Sequence, residues 1–313
     1  MAKVNVWVRP GSLPALREAA LVLDLDGVVV DVRQTYRLGY LRGVRHFVRH
    51  DLGLPLHGLP AKLAAVHLLK RHPQFNAPAA VVAVLLRLTL RAAVQGKALD
   101  AVGIGAADWI AEALAADTLG EWPVASLAGL SAQEFAQLVR WGAQSERALH
   151  YSLEHYAGSA NVLPLFGYHA SLRSAGLWHR DRLLLDPSRP PPGRPLGVYT
   201  GRQRRETHWL CGRFQFFRNF LALADPPLAA ADTGEHKPAG GPLLRLHAQL
   251  GRENLLYVGD LPADRDAALA ARRAMPASGA LWIGQIVPRG GERWPAADIA
   301  AASISALLDT IDA

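Results

Sequence analysis

The sequence predicts an α/β protein: a doubly wound parallel sheet whose chain is interrupted by a large all-helical insert. Three observations predict it. Short apolar runs bounded by turn residues alternate with helical spacing in the second half of the chain, as βαβ units require. Between Tyr36 and Ala175 β-type alternation is almost absent. Two acids, Asp24 and Asp26, close the run Leu21-Val22-Leu23-Asp24-Leu25-Asp26, which reads as a buried strand of a parallel sheet reaching its carboxyl end.

Taken in order, residues 4–20 read as a short extended piece and a helical turn leading into that strand. On a strand, residues i and i+2 share a face, so both carboxylates are expected to project together. Two like charges held so close need a metal or a shared proton to offset them. Thr35 to His50, Pro60 to His72, Pro78 to Gln95, Ala106 to Ala116 and Ser131 to Tyr156 then carry helical spacing. Leu38, Leu41, Val44 and Val48 form one stripe, and Phe135, Leu138, Val139 and Gly142 another.

Leu183-Leu184-Leu185-Asp186-Pro187 and the run Pro190 to Pro192 follow, and the prolines cannot be helical. Leu196-Gly197-Val198-Tyr199 is a strand, Arg204 to Phe220 a helix, and Asp225 to Gly241 a loop. A helix from Pro242 to Leu250, a strand from Asn254 to Val258, a helix from Ala263 to Ala274, a strand from Ala280 to Ile283 and a closing helix from Ala296 to Ile311 complete the chain. The expected division is therefore residues 1–35 with 186–313 for the α/β part and 36–185 for the helical insert. Leaving just after the diacid strand, the insert is expected to act as a lid.

Half of the 313 residues are hydrophobic and 19% are charged, as in a folded globular protein. The net charge of +7 allows an anionic partner. Lys3, Lys62, Lys70, Lys97 and Lys237 are the only lysines, and the arginines are dispersed with no dense basic block. No nucleic acid is therefore expected as partner. The most hydrophobic segment, Ala77 to Val94, is interrupted by Arg87 and Arg91 and is too short to span a bilayer, so no membrane partner is expected. Cys211 is the single cysteine and reads as a small buried residue on a helix. With no signal-peptide pattern in Met1 to Pro10, a cytoplasmic location is expected.

Chemistry-bearing residues recur at strand ends. Asp24 and Asp26 are the first set. Thr200-Gly201-Arg202 directly follows the strand at Leu196 to Tyr199, offering a hydroxyl and backbone N–H groups to an anion. Lys237-Pro238 lies in a loop before a helix. Gly259-Asp260-Leu261-Pro262-Ala263-Asp264 again follows a strand, with two acids four residues apart.

This set resembles the haloacid dehalogenase (HAD) superfamily, whose four motifs are D-x-D-G, a Thr or Ser after the second core strand, a Lys ahead of a helix, and G-D-x-x-x-D. All four occur in order, over residues 18–35 and 194–285. The residues after the first motif, Gly27-Val28-Val29-Val30-Asp31-Val32 and Thr35-Tyr36-Arg37, look like a branch of subfamily I in which a helical cap follows the first strand and its flap.

The resemblance implies a Rossmann-like core and a phosphatase that hydrolyses a small phosphorylated metabolite. Asp24 would be the nucleophile that forms an aspartyl-phosphate, and Asp26 the general acid and base. Mg²⁺ would be held by Asp24, the backbone carbonyl of Asp26, Asp260 and Asp264, the last directly or through water. Thr200, the Gly201 amide and Lys237 would hold the phosphoryl oxygens. Dehalogenases of the superfamily lack the second acid, so Asp26 selects phosphoryl transfer. A phosphomutase of the same superfamily and a catalytically silent binding protein are the alternatives.

Other residues read less specifically. Asp31 suits a site neighbour or a cap of the flap turn equally, and Asp266 a first-turn acid. His46 and His50 lack an intervening acid and read as exposed or capping. Trp109 and Trp141 read as core of the insert. Arg33, Tyr36, Arg37 and Arg202 suit substrate contact or ordinary surface equally.

Overall fold

A computed structural model of the chain describes residues 6–56, 66, 69–72, 75–94, 133, 136, 140–186, 193–214, 228–232, 234–287 and 291–313. The chain forms two compact units, Met1–Val32 with Asp181–Ala313, and Arg33–Arg180.

The first unit is built on a seven-stranded sheet with strands β1 (Trp7–Val8), β2 (Ala20–Leu23), β5 (Leu196–Tyr199), β6 (Leu228–Ala229), β7 (Asn254–Gly259), β8 (Ala280–Ile286) and β9 (Ile299–Ala301). A two-stranded antiparallel ribbon joins β3 (Val30–Asp31) to β4 (Arg182–Leu183). The large sheet runs β1-β9-β8-β7-β2-β5-β6, parallel throughout except for the antiparallel edge pair β1–β9. This is the doubly wound α/β fold class expected from the alternating strands and helices.

Both faces of the sheet are covered, which is why its central strands are apolar at successive residues. On one face Ala20, Val22, Leu255, Tyr257, Leu281 and Ile283 pack with Leu243, Leu246 and Leu250 of the helix Gly241–Leu250 and with Ala267, Ala268 and Ala271 of the helix Pro262–Ala274. Leu21, Leu23, Leu256 and Val258 point the other way and are equally buried. The helices Leu13–Glu18 and Ile304–Asp312 pack on each other and against β7 and β9 respectively.

Three elements differ from the sequence expectation. Residues 296–311 were expected to be one helix, yet Ile299–Ala301 is a strand between β8 and β1, and the helix begins only at Ile304. Ser303 caps it, its hydroxyl accepting from the Ala306 N–H at 3.2 Å. The short run Ile-Ala-Ala has no period of its own, so pairing on both sides decides its state. Likewise β6 lies within the expected loop 225–241, and β4 takes Arg182 and the first residue of Leu183-Leu184-Leu185. Each spans two residues and forms only because a partner strand is present.

In the second unit the helices Tyr36–His46 and Ser145–Ala157 pack tightly, with Pro78–Val94 against both. Gly39 and Gly43, one turn apart, face Ser152. A Cβ on Gly43 would lie 2.3 Å from the Ser152 backbone nitrogen, so the helices approach at backbone distance. The expected helix over 131–156 is interrupted by a turn at Ala143–Gln144. A further helix, Ser159–Phe166, follows. The expected helix at 106–116, Trp109, the stripe residues Phe135, Leu138 and Val139, most of 60–72 and the prolines 190–192 lie outside the described residues. No helix among the described residues is long and apolar enough to cross a membrane.

Of the two histidines expected to be exposed or capping, His50 is exposed and His46 is half-buried. His46 stacks on His50 at 4.5 Å between ring centroids and meets His155 at 6.2 Å. Burial lowers His155 to about 4, and nearby His46 and Arg42 add to the effect; burial and His50 lower His46 too. Both release their protons more readily in the folded state, so the unfolded chain binds more protons below its own histidine value. This stability contribution is complete above pH 6.5 and falls as pH drops toward 4, by about 2 kcal/mol for His155 after allowance for solvent screening. Urea unfolding at pH 7 and pH 4.5, with the His155→Gln variant showing a smaller loss, checks this. Equal losses in the two proteins would exclude His155 as the source.

Candidate active site

The sheet register brings the motifs to one edge. Leu23 of β2 is level with Val198 of β5 and with Val258 of β7. Asp24, Thr200 and Asp260 therefore emerge within two residues of one another at the carboxyl ends of three adjacent parallel strands, where open sheets place ligands. The Asp24 N–H still donates to the Val258 carbonyl at 2.9 Å.

Regular strand structure stops at Leu23, however, and the chain turns. The Gly27 N–H donates to Val30 O, and the Val29 and Val30 N–H groups return to Leu25 O, forming the flap turn that leads into β3. The two acids are consequently not a strand pair. Asp24 is buried and turns to Lys237, while Asp26 is one-third exposed and turns to Arg202.

The buried half of the site is an acid cluster around one lysine. Lys237 Nζ lies 2.7 Å from Asp24 Oδ1 and 2.7 Å from Asp264 Oδ1. Tyr257 donates its hydroxyl to the same Asp264 oxygen at 2.6 Å. The other Asp264 oxygen accepts the N–H groups of Leu261 (2.9 Å) and Asp260 (3.2 Å), capping the helix Pro262–Ala274. Asp264 thus serves as cap and as anchor for Lys237 together. Burial pushes the Asp24 carboxyl up from its ordinary range, opposed by Lys237 and reinforced by Asp264 and Asp26. Burial pulls the Lys237 ammonium down, but Asp24 and Asp264 outweigh it and hold it above the usual lysine value. Burial, followed by Asp264, raises the Tyr257 hydroxyl well above its ordinary value.

Asp260 completes the cluster: Asp24, Asp260 and Asp264 each present an oxygen within 4.8 Å of the others. Gly27 makes this possible. Its φ is +86°, and a Cβ there would sit 2.1 Å from Asp260 Oδ2, so any side chain at 27 would displace that carboxylate. Three carboxylates against one lysine leave an excess of negative charge, all on hard oxygen donors. That set fits a divalent cation of the Mg²⁺ type. Asp24 and Asp260 have the better claim to direct ligation, because both Asp264 oxygens are already engaged.

The second half centres on Arg202, which sequence reasoning left between substrate contact and surface. It is 3% exposed. It binds Asp26 through Nε and Nη2, and Nη1 donates to Glu206 Oε1 at 2.6 Å. Thr200, also buried, accepts the Arg202 N–H on Oγ1 at 3.2 Å, and its own N–H donates to Ala229 O of β6. Gly201 is exposed between them. Burial raises Glu206 to about 7, with Arg202 opposing. Glu206 was not singled out from sequence, although its i,i+4 spacing from Arg202 was a readable signal. Tyr257 gave none, since an aromatic residue within a strand reads as core.

The remaining candidates resolve differently. Tyr36 is buried against Tyr40 and Tyr156 within the helical unit, with ring centroids at 5.2 and 4.3 Å. Asp31 pairs with Arg182 across the β3–β4 ribbon. Burial raises the Cys211 thiol to about 12, in keeping with an inert packed residue on the helix Arg204–Arg213.

No protein-family model and no curated protein matches the sequence. Solved structures do match the fold. The phosphatase Tt82 from Thermococcus thioreducens is 17% identical, with 93% of this chain and 98% of that chain covered at a TM-score of 0.53. A Northeast Structural Genomics Consortium target is 13% identical, with 94% of each chain covered at 0.50. A HAD-superfamily hydrolase of subfamily IA from Geobacter sulfurreducens PCA is 14% identical, with 94% and 97% covered at 0.42. At these identities the first two likenesses concern the fold, and they agree with the doubly wound class expected from the motifs.

Proposed function

We propose that this chain, whose core has the doubly wound fold and the four motifs resembling HAD hydrolases, is a Mg²⁺-dependent phosphoric-monoester hydrolase acting on a small phosphorylated substrate. The observation that carries the reading is the buried cluster Asp24–Lys237–Asp264 beside Asp260, at the carboxyl edge of the sheet. A structural ion pair needs one acid for one lysine; three acids at one edge suit a cation and an anionic substrate together.

In this reading Asp24 attacks phosphorus in line. An Asp24–O–P bond forms while the bond to the leaving oxygen breaks, and Asp26 gives that oxygen a proton. Water then attacks the phosphorus, Asp26 takes its proton back, and Asp24 is released. Lys237 holds the Asp24 carboxylate in place and offsets its charge. The Thr200 hydroxyl and the Gly201 amide would receive phosphoryl oxygens. Mg²⁺ would be held by Asp24, the Asp26 carbonyl and Asp260, with Asp264 through water, and when bound it neutralises phosphoryl charge. The helical unit would act as the cap that selects the substrate.

Hydrolysis of a generic aryl phosphate and of a panel of phosphorylated metabolites is expected in Mg²⁺, lost in EDTA and restored by added Mg²⁺. Hydrolysis indifferent to EDTA, or no turnover of any phosphate monoester, would overturn the proposal.

A further inference from the structure

The contact between Arg202 and Asp26 is asymmetric. Asp26 Oδ1 accepts from Nε at 2.9 Å and lies 2.9 Å from Nη2 in an ion pair that lacks hydrogen-bond alignment. Oδ2 accepts the longer branch of the same Nε–H bond, at 3.2 Å. The guanidinium is itself immobilised. Glu206, 2% exposed, takes Nη1 at 2.6 Å. The Arg202 backbone is tied at both ends, its N–H to Thr200 Oγ1 and its carbonyl to the Ala231 N–H at 2.8 Å. Arg202 and Glu206 are sealed from water, whereas Asp26 is 33% exposed. A buried arginine with so many fixed donors costs conformational freedom, and its planar fork is suited to fix the plane of a carboxylate.

Resting on the phosphatase reading, we propose that Arg202 is a positioning residue for proton transfer: by holding Asp26 Oδ1 it presents Oδ2 as the atom that exchanges the proton. In the first step the proton passes from Oδ2 to the leaving oxygen as the P–O bond breaks. In the second, Oδ2 takes a proton from the attacking water, so the carboxyl group ends as it began. Glu206 acts through Arg202, keeping the guanidinium plane aligned with Asp26.

The consequence is a dependence on the leaving group. An alkyl alkoxide needs its proton during bond cleavage, while a dinitrophenolate leaves readily without one. The test compares 2,4-dinitrophenyl phosphate with an alkyl phosphate in single-turnover phosphorylation of the wild type and of Arg202→Gln, with folding checked by circular dichroism. General acid catalysis is worth about a hundredfold or more, so the dinitrophenyl-to-alkyl rate ratio is expected to rise at least about tenfold in Arg202→Gln. Arg202→Lys keeps the charge but lacks the planar guanidinium whose Nε meets both Asp26 oxygens and whose Nη1 is held by Glu206, and is expected to give a smaller rise. It also provides the reading if the glutamine variant does not fold. An unchanged ratio in a folded variant, with wild-type hydrolysis intact, overturns the positioning role alone. Failure of the wild type on both esters overturns the phosphatase reading, and this proposal with it.

Discussion

Replacing Asp24 with asparagine is expected to lower turnover of an aryl phosphate by at least about a thousandfold, the scale of loss when an enzyme nucleophile is removed. The amide matches the carboxylate in shape but cannot supply the attacking oxygen. The fold should survive. Asp24 is 4% exposed and packed, so an isosteric side chain leaves no cavity. Lys237 keeps Asp264 as its partner at 2.7 Å. The substitution also removes one of the like charges that burial and Asp264 make costly at this position. A melting temperature within a few degrees of wild type, together with lost turnover, is therefore the expected pair of results. Acid-quenched wild type should carry phosphate bound to protein and the variant none. A variant rate within tenfold of wild type would rule out Asp24 as nucleophile.

Replacing Lys237 with methionine should do the opposite, costing stability as well as rate. Lys237 is 4% exposed, and its ammonium stands between two buried carboxylates. Removing it leaves Asp24 and Asp264 facing each other without compensation, a change worth about 3–5 kcal/mol for a broken buried pair. For a unit of this size that corresponds to a fall of about 10 °C or more in melting temperature. Tyr257 and the two backbone N–H groups still hold Asp264, so the loss should fall chiefly on the Asp24 side. Added Mg²⁺ should recover part of the stability, because the cation then supplies the missing positive charge. Thermal melts with and without Mg²⁺ check both points. A loss under about 1 kcal/mol without metal would mean that Lys237 is not what balances the cluster.

The two variants also separate what was readable in the chain from what was not. Asp24, Thr200, Lys237, Asp260 and Asp264 were all marked by position, each standing at a strand end or before a helix. Strand periodicity and the run of motifs supply that information locally. The partners were not marked. Nothing local distinguishes Tyr257 from a core tyrosine, and the strand-end position of Arg202 and its i,i+4 spacing to Glu206 did not tell a buried partner of Asp26 from a surface residue. Their roles depend on which strands become neighbours. Ile299–Ala301 shows the same limit in the backbone, because the run becomes a strand only when β8 and β1 lie beside it.

By itself the sequence determined the alternation of strands and helices, the long helical interruption and the residue types that carry the chemistry. These follow from periodicities of two and 3.6 residues and from side-chain identity. Only the tertiary structure decided how the two opening acids divide. The strand ends at Leu23, the Gly27 turn swings the chain, and Asp24 goes inward to Lys237 while Asp26 goes outward to Arg202. The physical reason is that a carboxylate's role is set by the charges and burial around it, and residues far apart in the chain supply them.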